Sequence, residues 1–125
     1  MLSVYMVQIN VVGLQAGIDW YTNVLGFKVS SENNFLHHET TVQLEHDKGF
    51  RLILHNAKDP AEIGYPEDVQ TMVVWETKDL AKSVSDMQKK GVTFITTQPQ
   101  EINVGKFVAF RDPFGNVFEL IELRK

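Results

Sequence analysis

A chain of 125 residues, 43% hydrophobic and 22% charged, has the composition of one globular domain large enough to bury a core. Its net charge of −4, with lysine and arginine scattered along the chain, excludes a domain-wide basic footprint for nucleic acid, and no apolar run approaches the roughly 20 residues of a membrane helix. Cysteine is absent, which excludes disulfides and thiolate chemistry; with no basic segment and apolar core at the N-terminus, the composition fits a reducing cytoplasm.

The stretch from Ser3 to Val12 alternates, with Tyr5, Val7, Ile9 and Val11 on one face and Met6, Gln8 and Asn10 on the other, which predicts a strand. The period then changes. Leu14, Ile18, Tyr21 and Leu25 recur at helical spacing, and Gly26 supplies the stop. Phe27 to Ser31 reads as a strand and Asn33-Asn34 as a turn. Thr40, Val42 and Leu44 alternate, Asp47-Lys48-Gly49 turns, and Phe50 to His55 returns as a further strand. Pro60, Gly64 and Pro66 mark the following stretch as a loop or linker.

The same succession follows. Gln70 to Thr77 is strand-like, and Asp79 is placed to cap a helix carrying the stripe Leu80, Val84 and Met87. Lys89 and Lys90 complement the helix dipole in its last turn, and Gly91 ends it. Val92 to Thr96 is a strand, Gln98-Pro99-Gln100 a turn, and Lys106 to Arg111 a strand. Asp112-Pro113-Phe114-Gly115-Asn116 is a turn, and Val117 to Leu123 the last strand. Strand, helix and three strands therefore occur twice. Leu14 and Leu80 open the two helices, and Gly26 and Gly91 close them. Gly49 and Gly115 precede the two final strands. Such a repeat carries more weight than any single motif.

Two stretches are the most specific. One runs from Gly13-Leu14 through Ile18-Asp19-Trp20-Tyr21 to Leu25-Gly26-Phe27; the other is Asp112-Pro113-Phe114-Gly115-Asn116 followed by Phe118-Glu119-Leu120. In this order, on a βαβββ duplication, the whole chain resembles the vicinal-oxygen-chelate superfamily of glyoxalases, bleomycin-resistance proteins and extradiol dioxygenases. The resemblance implies an α+β fold of two βαβββ modules, residues 1–56 and 69–125 joined by a linker at 57–68. Each module curls its sheet into a half-barrel, and the two line a cleft within a single domain spanning 1–125. It also implies a homodimer.

Metal-binding relatives hold a divalent ion by one side chain from the first and one from the last strand of each half, and use it as a Lewis acid. The first-strand position lies eight residues before the leucine that opens the helix, which maps it onto Met6 and Met72. The last-strand position maps onto Ile53 and Glu119. Only Glu119 suits a hard or borderline cation, because a thioether is soft. The implied site therefore holds no metal and no other cofactor, and the methionines pack a cavity.

Strand parity supports this placement. Leu52 and Leu54 share one face, with Arg51, Ile53 and His55 on the other; Phe118 and Leu120 oppose Val117, Glu119 and Ile121. A one-residue slip would reverse every assignment. The expected cleft lining is Met6, Gln8, Arg51, Ile53, His55, Met72, Val74, Phe107 and Glu119. Phe107 and Phe110 have opposite parity, so the face of strand 106–111 that lines the cleft stays open. His37-His38-Glu39 reads as an exposed edge or loop, and His46 as a solvated residue bordering a turn. Trp20, Tyr21 and Trp75 read as core.

Two functional classes follow. The first is a metal-independent binder of a small organic molecule, with Glu119 as its polar anchor. The alternative is a glyoxalase-type lyase or dioxygenase with a displaced divalent metal recruiting Glu119, His55 or Gln8. A metal-free catalyst with Glu119 as a base is a third and weaker reading.

Overall fold

In the computed structural model, residues 1–31, 40–96 and 98–125 are described. They form two compact units, Met1–Ala61 and Glu62–Lys125, each an open mixed sheet with one helix, so the fold is α+β. The expected turn at Asn33-Asn34 and the cluster His37-His38-Glu39 lie outside the described residues.

In the first unit, β1 (Val7–Val11), β4 (Arg51–Asn56), β3 (Thr41–Glu45) and β2 (Lys28–Val29) lie side by side in that order. β1 runs parallel to β4, and the other two contacts are antiparallel. Helix α1 (Leu14–Leu25) follows β1 and ends at Gly26, whose φ of 77° is the left-handed conformation that glycine adopts at least cost. The amide of Phe27 closes the motif on the Tyr21 carbonyl at 3.1 Å. The register puts Val7, Ile9 and Val11 on the face of Leu52, Leu54, Val42 and Leu44. Tyr21, Val11, Leu44, Leu52 and Leu54 are fully buried, and the Tyr21 ring meets Trp20 and Phe27 edge-on. Gly17 allows the close approach of α1 to this face: a Cβ there would stand 2.8 Å from Val11 Cγ2.

In the second unit the order is β5 (Val74–Glu76), β9 (Val117–Leu123), β8 (Gly105–Arg111) and β6 (Thr93–Phe94). Helix α2 (Leu80–Lys89) begins as expected at Asp79, whose Oδ1 accepts from the Lys82 amide at 3.1 Å. A second acceptor was not legible in the sequence. Glu122 reaches from β9, and its Oε1 takes the Leu80 amide at 2.7 Å. Leu80 and Met87 are buried. Phe94, Phe110, Phe118 and Trp75 form a line of rings with neighbouring centroids 5.5–5.8 Å apart. The Asp112–Asn116 turn is tied by its first residue: Asp112 Oδ1 accepts from the amides of Phe114 and Asn116, both at 2.9 Å.

Two expectations need correction. A strand β7 (Gln100–Ile102) stands where the sequence reads a turn followed by unassigned residues. All three of its side chains are exposed, so no alternation betrays it, and backbone pairing to β8 alone makes it a strand. β6 pairs with the Arg111 end of β8 and β7 with the Gly105 end, so both occupy one edge of that strand. The strands at the sheet margins are also shorter than predicted. Ser3–Val12 contracts to Val7–Val11, and Gln70–Thr77 to Val74–Glu76, because pairing ends before the side-chain pattern does. Met6 and Met72 thus lie just before the paired segments.

Candidate functional site

The second unit concentrates the chemistry. On β9, Glu119 pairs with Val74 of β5 on one side and Ala109 of β8 on the other. By register its face also carries Val117, Ile121, Phe107, Arg111 and Glu76, while Phe110, Phe118, Leu120 and Trp75 point the other way, among the aromatic line. On β8, Phe107, half-buried, shares the face of Glu119, and Phe110 is core.

Across this face the Tyr65 hydroxyl donates to Glu119 Oε2 at 2.6 Å. Tyr65 comes from the stretch read as linker, which is an ordered turn. Gly64 N donates to Asp68 Oδ2 at 3.1 Å, Asp68 N donates to the Gly64 carbonyl at 2.8 Å, and the Tyr65–Pro66 peptide is cis. The phenol is pushed up to about 12, first by burial, then by the hydrogen bond to Glu119 and by its negative charge.

Because the folded value of about 12 exceeds the ordinary 10.0, the Tyr65 contribution is fully present below about pH 10 and is lost as pH rises through 12. Urea unfolding of wild type and Tyr65→Phe should show an advantage on the order of 1 kcal/mol at pH 8, discounted for partial exposure, that shrinks above pH 10. An advantage independent of pH up to 12 would contradict the assignment.

The first unit presents its own mixed face. Gln8, Ile53 and Gln43 form one row across β1, β4 and β3; Asn10, His55 and Thr41 form the next. Ile53, Gln43 and Thr41 are buried, His55 is half-buried and Gln8 is exposed. Gln8 Nε2 donates to Asn10 Oδ1 at 3.2 Å. Arg51 lies over the Tyr5 ring, its guanidinium carbon 4.8 Å from the centroid. His46 corrects an expectation. It is half-buried, its ring meets Phe27 edge-on at 5.2 Å, and its Nδ1 accepts from the Lys48 amide at 3.3 Å.

Three polar residues of these faces were missed. Gln43 and Thr41 were readable, since the alternation of Val42 and Leu44 places them with Ile53 and His55. Tyr65 carried no signal beyond being an aromatic residue in a Gly/Pro-rich stretch.

The mapped metal positions supply Met6 and Ile53 in the first unit and Met72 and Glu119 in the second. That donor set does not fit a hard or borderline divalent ion. Among the described residues, no group of three or more His, Cys, Asp or Glu side chains is arranged to hold a metal.

A family model described as the Glyoxalase/Bleomycin resistance protein/Dioxygenase superfamily matches residues 3–120. The chain belongs to that superfamily. A superfamily assignment leaves the chemistry open, as its relatives illustrate. An uncharacterized protein of Shewanella frigidimarina (strain NCIMB 400) is 29% identical over 120 residues, covering 85% of this chain and 82% of that one. TnmS3, an antibiotic-binding protein from Streptomyces sp. CB03234, superposes with a TM-score of 0.74 at 20% identity, covering 99% and 98% of the two chains. The fosfomycin resistance protein FosX from Listeria monocytogenes reaches 0.78 at 12% identity, covering 99% and 93%. At these identities the structural likenesses show the fold alone.

Proposed function

We propose that this superfamily member binds a small organic molecule without a metal, against the Glu119 face of its second unit. The observation that carries the reading is the Tyr65–Glu119 hydrogen bond. The one acidic side chain at a mapped metal position is engaged by a phenol, among Val74, Ala109, Val117 and Ile121. An apolar face with a few fixed polar atoms suits organic ligands. The antibiotic-binding relative TnmS3 supports the class, and FosX, seen elsewhere with Mn(II), represents the metal-dependent alternative. Gln8, Arg51, Ile53 and His55 belong to the mixed face of the first unit and Met6 precedes it, and their part in binding is an expectation for mutagenesis. We expect a homodimer in the cytoplasm. No helix among the described residues is long and apolar enough to cross a membrane.

The test is a thermal-shift screen of planar organic ligands, run in chelator and again with Mn(II), Ni(II) or Zn(II). A ligand at about 100 times its Kd adds about 2.7 kcal/mol, a rise on the order of 10 °C. We expect an equal rise with and without metal, and its loss in Glu119→Ala. Stabilisation that requires metal, with stoichiometric ion retained after desalting, would establish the alternative.

A further inference from the structure

We propose that Tyr65 and Glu119 form an acceptor-only anchor that selects ligands bearing an amidinium, ammonium or comparable N–H donor and rejects carboxylates. The inference rests on the small-molecule reading above and specifies the class of ligand.

The anchor has no donor left to offer. A phenol has a single O–H, and that of Tyr65 is spent on Glu119 Oε2 at 2.6 Å. What remains for a ligand is the other lone pairs of the carboxylate and those of the phenol oxygen. All of these accept. A tyrosine alone would be ambivalent, able to donate to an anion or accept from a cation. Bound to Glu119 it no longer has that choice, so Tyr65 acts as a specificity-determining residue by having its donor occupied.

The neighbours strengthen the bias. Val74 and Ala109, the register partners of Glu119, offer no side-chain donor, and neither do Val117 and Ile121 on either side along β9. An apolar surround makes a charge-assisted hydrogen bond stronger and leaves an unmatched anion costlier. Phe107, on the same face, gives a flat cation an aromatic partner. Glu76, which pairs with Ile121, adds a second carboxylate at the exposed margin. Arg111 lies on this face opposite Val117, and one of its guanidinium N–H groups is directed to the Gly115 carbonyl at 3.5 Å, beside the turn.

The full chain decides the matter with two probes of matched shape, 2-naphthamidinium and 2-naphthoate. Each is titrated at neutral pH while the backbone amide resonances of Val74, Ala109 and Glu119 are followed by NMR. The amidinium is expected to bind at least about 10-fold more tightly than the naphthoate, roughly one charge-assisted hydrogen bond. Glu119→Gln keeps the shape and an acceptor oxygen for the Tyr65 hydroxyl, but it removes the charge and adds an N–H donor, and it should reduce the preference to less than about threefold. Naphthoate binding as well as or better than the amidinium at these amides overturns the acceptor assignment and leaves the face a ligand site. If neither probe moves these resonances, the small-molecule reading of the face falls together with this inference. If Glu119→Gln does not fold, the wild-type comparison stands alone as the deciding measurement.

Discussion

Phe110→Ala lowers the free energy of unfolding by about 3–5 kcal/mol, a large share of what a domain of this size possesses. Phe110 is fully buried on β8, directly opposite Phe118 of β9 and Phe94 of β6. Its ring stands 5.8 Å from that of Phe94 and 5.5 Å from that of Phe118. Truncation removes the apolar contacts of one ring and takes a neighbour from two others. The cavity cannot close readily, because all three positions are fixed by backbone pairing. Phe110→Leu retains most of the volume and should cost clearly less. Urea denaturation checks both: the midpoint should fall with an unchanged slope. A loss below about 1 kcal/mol for the alanine variant would mean that the aromatic line is not the core of the second unit.

Gly105→Ala is the second large effect, and its cause is different. A Cβ at Gly105 would lie 2.1 Å from the Glu122 carbonyl oxygen and 3.0 Å from Leu123 Cα. Both obstacles are backbone, so no rotamer change relieves them. The last pair of the β8–β9 ladder, Gly105 with Leu123, must open. The pairing of Ile102 with Gly105, which anchors β7, is strained with it. We expect a cost of about 2–4 kcal/mol, at or above the usual range for overpacking. Amide hydrogen exchange should locate the damage at Arg124, whose N–H bonds the Val104 carbonyl at 2.7 Å. Gly49→Ala is the control: there a Cβ meets nothing within 4 Å, and the strain comes only from a φ of 87°. It should cost about 1 kcal/mol. Equal costs at the two glycines would refute the steric argument for Gly105.

Most of the fold could be read from local pattern. The two helices announce themselves by apolar spacing. Asp79 and Gly26 mark one start and one stop by chemistry that acts within a single turn of chain. Asp112 and Asn116 close their turn on each other, which a motif five residues long can encode. The parity of β4 and β9 holds because both are central strands, one face of each carrying buried side chains, Leu52 and Leu54 on β4 and Phe118 and Leu120 on β9. The margins were less legible. β7 exists through its hydrogen bonds to β8, and its exposed Gln100, Glu101 and Ile102 carry no alternation. His46 looked like a turn residue because what covers it, Phe27, lies across the sheet from it.

The candidate site divides along the same line. Glu119 was singled out by the last-strand ligand position that the family resemblance implies, with strand parity in support. Its partner Tyr65 was not, because a hydrogen bond across 54 residues leaves no periodic mark on the sequence. Period and turn chemistry by themselves determined the duplicated α+β architecture and the parity of the last strand, since these act between near neighbours in the chain. Only the tertiary structure decided that Tyr65 meets that acid, that Phe107 and not Phe110 shares its face, and that Glu122 caps α2. Each of these depends on which segments fold against one another, and that choice is made by packing across the sheet.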